Sequence, residues 1–206
     1  EPEPIDPTKP ITTEDLTELK AILGRGNDVT SIETGRVLQL LQSRGSNYEY
    51  FFQNARDPIW LDHLSSQGFF QNPPEVEKTA EGSYRIPDWP PLYYLVRVYE
   101  AAPEKTLAEI EKIPDTNNFR VLEGIVEIVL KSDSANTIIR FSHMILSFID
   151  NIHWGHDKII ELLKKPFFFD KELSEFASSF LFKLVEFLPD PKTKEKQKRR
   201  RENPEN

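Results

Sequence analysis

The chain contains no cysteine in its 206 residues. That excludes a disulfide scaffold, thiolate zinc sites, Cys-ligated iron–sulfur clusters and a cysteine nucleophile. Histidine is scarce as well, at four, so imidazole chemistry has few places to reside. No run approaches the roughly 18 apolar residues that a membrane span needs, and no apolar leader opens the chain. A Gly-x-Ser-x-Gly nucleophile elbow is absent. Gly24-x-Gly26 closes a helical pattern rather than opening one and follows no strand, so it is no phosphate cradle. Carboxylates such as Glu104, Glu109, Glu111, Glu123 and Glu127 are plentiful, but their helical spacing suits a solvated acidic face and singles out no acid–base pair.

What is present is helical periodicity almost throughout. Leu173, Phe176, Ala177, Phe180, Leu181, Leu184, Phe187 and Leu188 follow the i, i+3, i+4 rule between a cap at Asp170 and a stop at Pro189. Similar patterns predict helices from Thr12 or Thr13 to Gly24, from Ser31 to Gly45, over Tyr48–Ala55, and from Asp57-Pro58 to Gly68. Further on, Pro91 and Pro103 each suit the first position of a helix, Asn117-Asn118 precede another, and Ser132-Asp133-Ser134 precede one carrying Ile138, Phe141, Ile145, Phe148 and Ile149. The expectation is an all-α fold of about ten helices with no convincing strand.

Three zones interrupt that grammar. Residues 1–11 form an extended lead with prolines at 2, 4, 7 and 10 and acids between them. Residues 69–90 carry Pro73, Pro74, Pro87 and Pro90 without helical period, an unusually long connection for a compact domain. Its apolar anchors Phe69, Phe70, Tyr84, Ile86 and Trp89 predict an ordered loop, laid over a groove between helices or serving as a binding loop. Residues 191–206 are a basic tail, with seven Lys/Arg against three Glu in a chain whose net charge is −8. Between lead and tail, 12–190 is expected to form a single helical domain, with short helices over 12–68, the ordered loop over 69–90 and helix hairpins over 91–190. An opening Glu1 in place of Met leads us to expect a piece of a larger protein.

The hairpins 91–102 with 103–113, 119–131 with 134–150, and 156–164 with 170–188 recur every 30 to 40 residues, which suggests a stacked array, an irregular α-α superhelix. The segment Asp115-Thr116-Asn117-Asn118-Phe119-Arg120-Val121-Leu122 resembles the Asp…Arg-Val junction of HEAT repeats, in which the acid sits in the inter-helix turn and Arg-Val opens the second helix. That resemblance covers one repeat and implies a HEAT-like or armadillo-like solenoid, with a compact irregular bundle as the other arrangement. Arg56-Asp57-Pro58-x-Trp60-Leu61, Gly68-Phe69-Phe70-x-Asn72-Pro73-Pro74 and Trp89-Pro90-Pro91-Leu92-x-Tyr94-Leu95 resemble the N-terminal region of large multidomain bacterial proteins of unassigned function. The likeness spans most of 45–130 and implies a cytoplasmic helical module fused to other domains.

Three functional expectations follow. A hairpin array exposes a long ridge and supplies no reactive centre, so the leading one is a non-catalytic interaction or scaffolding module without a cofactor. Its partner would be a protein or a neighbouring domain, with no membrane involved, contacted through Trp89, Arg97, Arg120 and Arg140. The second is a nucleic-acid-associated module using Lys198, Arg199, Arg200 and Arg201, against which the acidic remainder of the chain weighs. The third is a metal-dependent enzyme built on His143, His153 and His156, with Asp150 and Asp157 nearby. The turn-like Asn151–Gly155 between two helices argues against a shared ligand face there.

Overall fold

A computed structural model of the chain describes residues 12–42, 45–150, 156–165, 168 and 171–187. Eleven α-helices, 3-10 turns at Gly26–Asp28 and Lys171–Leu173 and one two-stranded antiparallel sheet make up the regular structure among them. The fold is all-α in class. The described residues group into two compact units, one running to Ser132 and the other from Asp133, where the sequence pattern suggested a single stretch over 12–190. Asp133 adopts φ 50°, the left-handed turn that lets a helix stop.

In the first unit α1 (Thr13–Leu23), α2 (Ser31–Gln42) and α3 (Ser46–Asn54) pack against one another. Thr12 caps α1 in a capping box, its hydroxyl accepting from Asp15 N–H at 3.1 Å while Asp15 Oδ2 accepts from Thr12 N–H at 3.1 Å. Arg36 of α2 reaches back to Asp15 at 2.8 Å and Glu18 at 2.9 Å, tying α2 to α1. The next helix, α4 (Trp60–Ser66), follows a turn in which Asp57 Oδ1 accepts from Ile59 N–H at 3.0 Å, so Asp57-Pro58 starts a turn and the helix begins two residues later. Then come α5 (Pro90–Val98), α6 (Pro103–Ile110) and α7 (Phe119–Ser132). Helix α5 is central, packed on α3, α6 and α7.

Aromatic rings fill the space around α5. Phe51 meets Trp60 edge-on at 5.4 Å, and Phe70 stacks on Tyr94 at 6.3 Å with its plane 6° away. Tyr94 is fully buried, and its hydroxyl donates to Asp57 O at 2.8 Å, so that polar atom is satisfied. Burial pushes the Tyr94 phenol far above its ordinary value, leaving it a permanent donor. Asn47 differs: its amide is wholly buried, and neither of its polar atoms has a hydrogen-bond partner among the described residues.

The second unit contains α8 (Ala135–Arg140), α9 (Ser142–Ile149), α10 (His156–Leu163) and α11 (Ser174–Phe187). The single helix expected from Ser134 to Asp150 breaks at Phe141, whose backbone leaves helical angles at φ −109°, ψ 18° while its ring stays buried. That break makes eleven helices of the expected ten. Phe168, Phe176 and Phe180 form a three-ring core with centroids 5.2 to 5.9 Å apart. The expected apolar stripe of α11 is narrower than its spacing implied. Phe176, Ala177 and Phe180 face inward, Leu184 is half-buried, and Leu181, Phe182 and Val185 are exposed.

Helices α5 and α7 approach closely at Gly124, where an added Cβ would come within 2.4 Å of Leu92 Cδ2. Leu92 is buried, so making room for that Cβ means displacing a packed side chain. Gly124→Ala is therefore expected to destabilise the fold by about 1–3 kcal/mol, measured by chemical denaturation. In a Leu92→Ala background the same change should cost far less, since the pair is coupled.

Candidate functional site

The long connection after α4 begins with a turn that only glycine makes at no steric cost. Gly68 takes φ 73°, its N–H donates to Ser65 O at 2.9 Å, and Phe69 N–H reaches Leu64 O at 3.1 Å, which closes α4. Phe70 is thereby directed into the aromatic core, and Phe69 lies half-buried against Tyr48, their ring centroids 6.1 Å apart. The chain then runs outward through Pro73 and Pro74 to a short hairpin of β1 (Glu77–Lys78) and β2 (Tyr84–Arg85). These two-residue strands pair Glu77 with Arg85 and Lys78 with Tyr84, a correction to the strandless expectation. Gly82, at φ 82°, makes the turn between them. Tyr84 is another correction: it is 68% exposed on this hairpin and anchors nothing.

The returning strand comes back through Pro87, Asp88 and Trp89 to Pro90, the first residue of α5. Proline lacks an N–H and cannot join a ladder, so the carbonyls of this segment need partners from elsewhere. Asn118, wholly buried ahead of α7, supplies them. Its Nδ2 donates to Pro74 O and to Pro87 O, both at 2.9 Å, clasping the outgoing and returning strands together. Its Oδ1 accepts from Arg120 N–H at 3.0 Å and Val121 N–H at 3.4 Å, satisfying free donors in the first turn of α7. Nearby, Asn117 Oδ1 accepts from Val76 N–H at 3.4 Å.

A second clasp sits beside the first. Asp88 Oδ1 accepts from Tyr93 Oη at 2.5 Å and from the Arg120 guanidinium. The Tyr93 hydrogen bond, with Arg120 assisting, holds the Asp88 carboxyl below its ordinary value. Burial and that same bond push the Tyr93 phenol up to about 12. Between the two strands of the connection and the first turn of α3 lies a cleft of about 440 Å3. Tyr48, Phe69 and Trp89 give it rings and Pro74, Pro87 and Pro90 give it stiff apolar walls, while Glu49, Asn72, Arg85 and Asp88 supply polar groups.

Trp89 and Arg120 are thus brought close to one another through Asp88. Trp89 is 4% exposed, occupies the N-cap position of α5 and is among the residues lining the cleft. Arg97 is turned inward: its guanidinium donates to Ala55 O at 3.2 Å and to Phe52 O, capping the C-terminal end of α3. Burial lowers its pKa. Arg140 belongs to the second unit, its guanidinium 5.4 Å from the centre of the Phe141 ring. His143 is exposed near the start of α9, and Asp150, at its C-terminal end, pairs with Lys183 at 2.6 Å. His153 and the side chain of His156 lie outside the described residues, as do Lys198, Arg199, Arg200 and Arg201. Among the described residues no three His, Asp or Glu side chains gather as a metal site would require, and no helix is long and apolar enough to cross a membrane.

Sequence reasoning missed Tyr48, Glu49 and Asn72 as cleft residues and missed the role of Asn118. Tyr48 reads as one more core aromatic because its spacing to Phe52 is helical. Asn118 carried the one usable signal, an Asn immediately ahead of a helix start. No protein-family model, curated protein or solved structure matches the chain.

Two substitutions test this arrangement. Asn118→Ala strands two proline carbonyls and two helix donors, at about 1–3 kcal/mol for each group left sealed from water; proteolysis should then begin within 72–90. Asp88→Asn tests the second clasp. A carboxyl lowered from its ordinary value of 3.8 contributes fully above that value and loses its contribution as pH falls through the lowered one. The variant should melt below the wild type at neutral pH, and the gap should close in acid.

Proposed function

We propose that this chain is a non-catalytic protein-interaction module, part of a larger cytoplasmic protein, whose cleft accepts a short extended peptide segment. The observation that supports this is the cleft itself: rings and proline walls on a connection fixed by Asn118 and by the Asp88–Arg120 pair. A preformed site loses little conformational entropy when it binds. Its volume, about 440 Å3, lies at the low end for ligand sites. Rings beside stiff prolines form the kind of surface that takes extended, proline-containing backbone. The HEAT-like pattern around Asp115 and Arg120 fits the same role, since helical arrays commonly hold partners or neighbouring domains.

Selection of binders from a random peptide library tests the reading. Selected peptides should shift NMR signals of Tyr48, Phe69 and Arg85, and Tyr48→Ala should weaken them at least tenfold without altering the helical content. Failure to select any binder, or binders that map elsewhere, would count against it. The nucleic-acid reading makes the opposite forecast: oligonucleotide binding that falls steeply with salt, survives Tyr48→Ala and disappears when Lys198, Arg199, Arg200 and Arg201 are replaced by Ala.

A further inference from the structure

The cleft carries charges of both signs, and they are not equally engaged. Asp88 is taken, since its Oδ1 accepts from Tyr93 and from the Arg120 guanidinium. Glu49, exposed in the first turn of α3, forms no ion pair among the described residues. Arg85, exposed on β2, reaches Glu77 only at 3.7 Å, between two side chains that stay largely in solvent. Such a pair contributes little and yields readily to a better partner. One anionic and one cationic residue of the cleft lining are therefore available to a ligand.

The backbone of the cleft has less to offer. Pro74, Pro87 and Pro90 have no N–H, and the carbonyls of the first two are held by Asn118. The N–H groups of Tyr48 and Glu49 go to Gly45 O at 3.0 and 3.3 Å, and those of Gly68 and Phe69 close α4. A peptide that binds as an added strand needs a row of free main-chain donors and acceptors. Walls interrupted by three prolines present no such row, so the reading of a partner falls to side chains.

We propose that the peptide taken by the cleft is bipolar, with an acidic side chain paired to Arg85 and a basic one paired to Glu49 around an apolar centre. This inference rests on the reading of the cleft as a peptide site. The Tyr48 and Phe69 rings, half-buried with centroids 6.1 Å apart, take the apolar centre. A neutral segment would strip water from Glu49 and Arg85 without return, and one of reversed charge would set like against like. Both groups are exposed in the free chain, so they act on partner choice and encounter rate more than on affinity, and salt weakens them.

Peptides selected from a random library on the intact chain should carry an acidic and a basic residue around an apolar centre. For one such peptide, mapped to the cleft through the NMR signals of Tyr48 and Phe69, Arg85→Glu should weaken binding about tenfold. Changing the acidic residue of the peptide to Lys should weaken it on the wild type and restore it on Arg85→Glu. The same exchange should hold between Glu49→Lys and the basic residue of the peptide. Arg85→Gln and Glu49→Gln, which introduce no repulsion, should each cost about three- to fivefold with helical content unchanged. A cleft-bound peptide indifferent to these variants, sensitive at only one of the two positions, or not rescued by the exchange would overturn the charge requirement. Those outcomes leave the peptide-site reading intact, whereas a library that yields no cleft binder would overturn both.

Discussion

A single buried primary amide, that of Asn118, makes the first unit dependent on one side chain. Four polar groups converge on it: two proline carbonyls from strands running in opposite directions and two N–H groups at the start of α7. Each would be expensive to leave unpaired away from water. No other residue type presents two donors and an acceptor on so short a stem, and Asp, the nearest in shape, would offer acceptors only. The proline-rich connection can lie against the helices because its carbonyls are answered from the helix it covers. Trp89 is then fixed at the head of α5, and the cleft walls follow from where Pro74 and Pro87 must stand.

The surroundings use the same device of borrowed partners. Tyr94 carries a hydroxyl into the aromatic cluster and gives it to the Asp57 carbonyl. Arg97 leaves solvent to satisfy the end of α3. Polar groups here hold loops and helix ends to a core made of rings, which accounts for arginines within apolar helix faces. Arg120 differs because its partner, Asp88, belongs to the connection and its guanidinium stays half-exposed at the edge of the cleft.

Much of the fold could be read in advance, because helix periodicity and end signals are local. Thr12, Gly24, Pro90-Pro91 and Pro103 mark boundaries by steric and hydrogen-bonding rules that act within a few residues. The break at Phe141 was not readable, since its apolar neighbours keep helical spacing through it. Nor was the narrowness of the α11 stripe, where Leu181 keeps the helical spacing of its inward neighbours Ala177 and Phe180 yet lies exposed. The candidate site was half legible. Trp89 and Arg120 stood out, yet their link through Asp88 and the clasp by Asn118 join positions some 30 to 44 residues apart. Local pattern carries no information about contacts of that span.

The position of Asn118 along the chain also sets an order in time. Protein synthesis delivers the outgoing strand first, then the returning strand and α5, and only afterwards the amide that joins them. Until Asn118 has left the ribosome, Pro74 and Pro87 have only water for their carbonyls, while α1, α2 and α3 already possess each other. The helical trio is therefore the natural first folding step during translation, and the cleft is a late product, closed when α7 arrives.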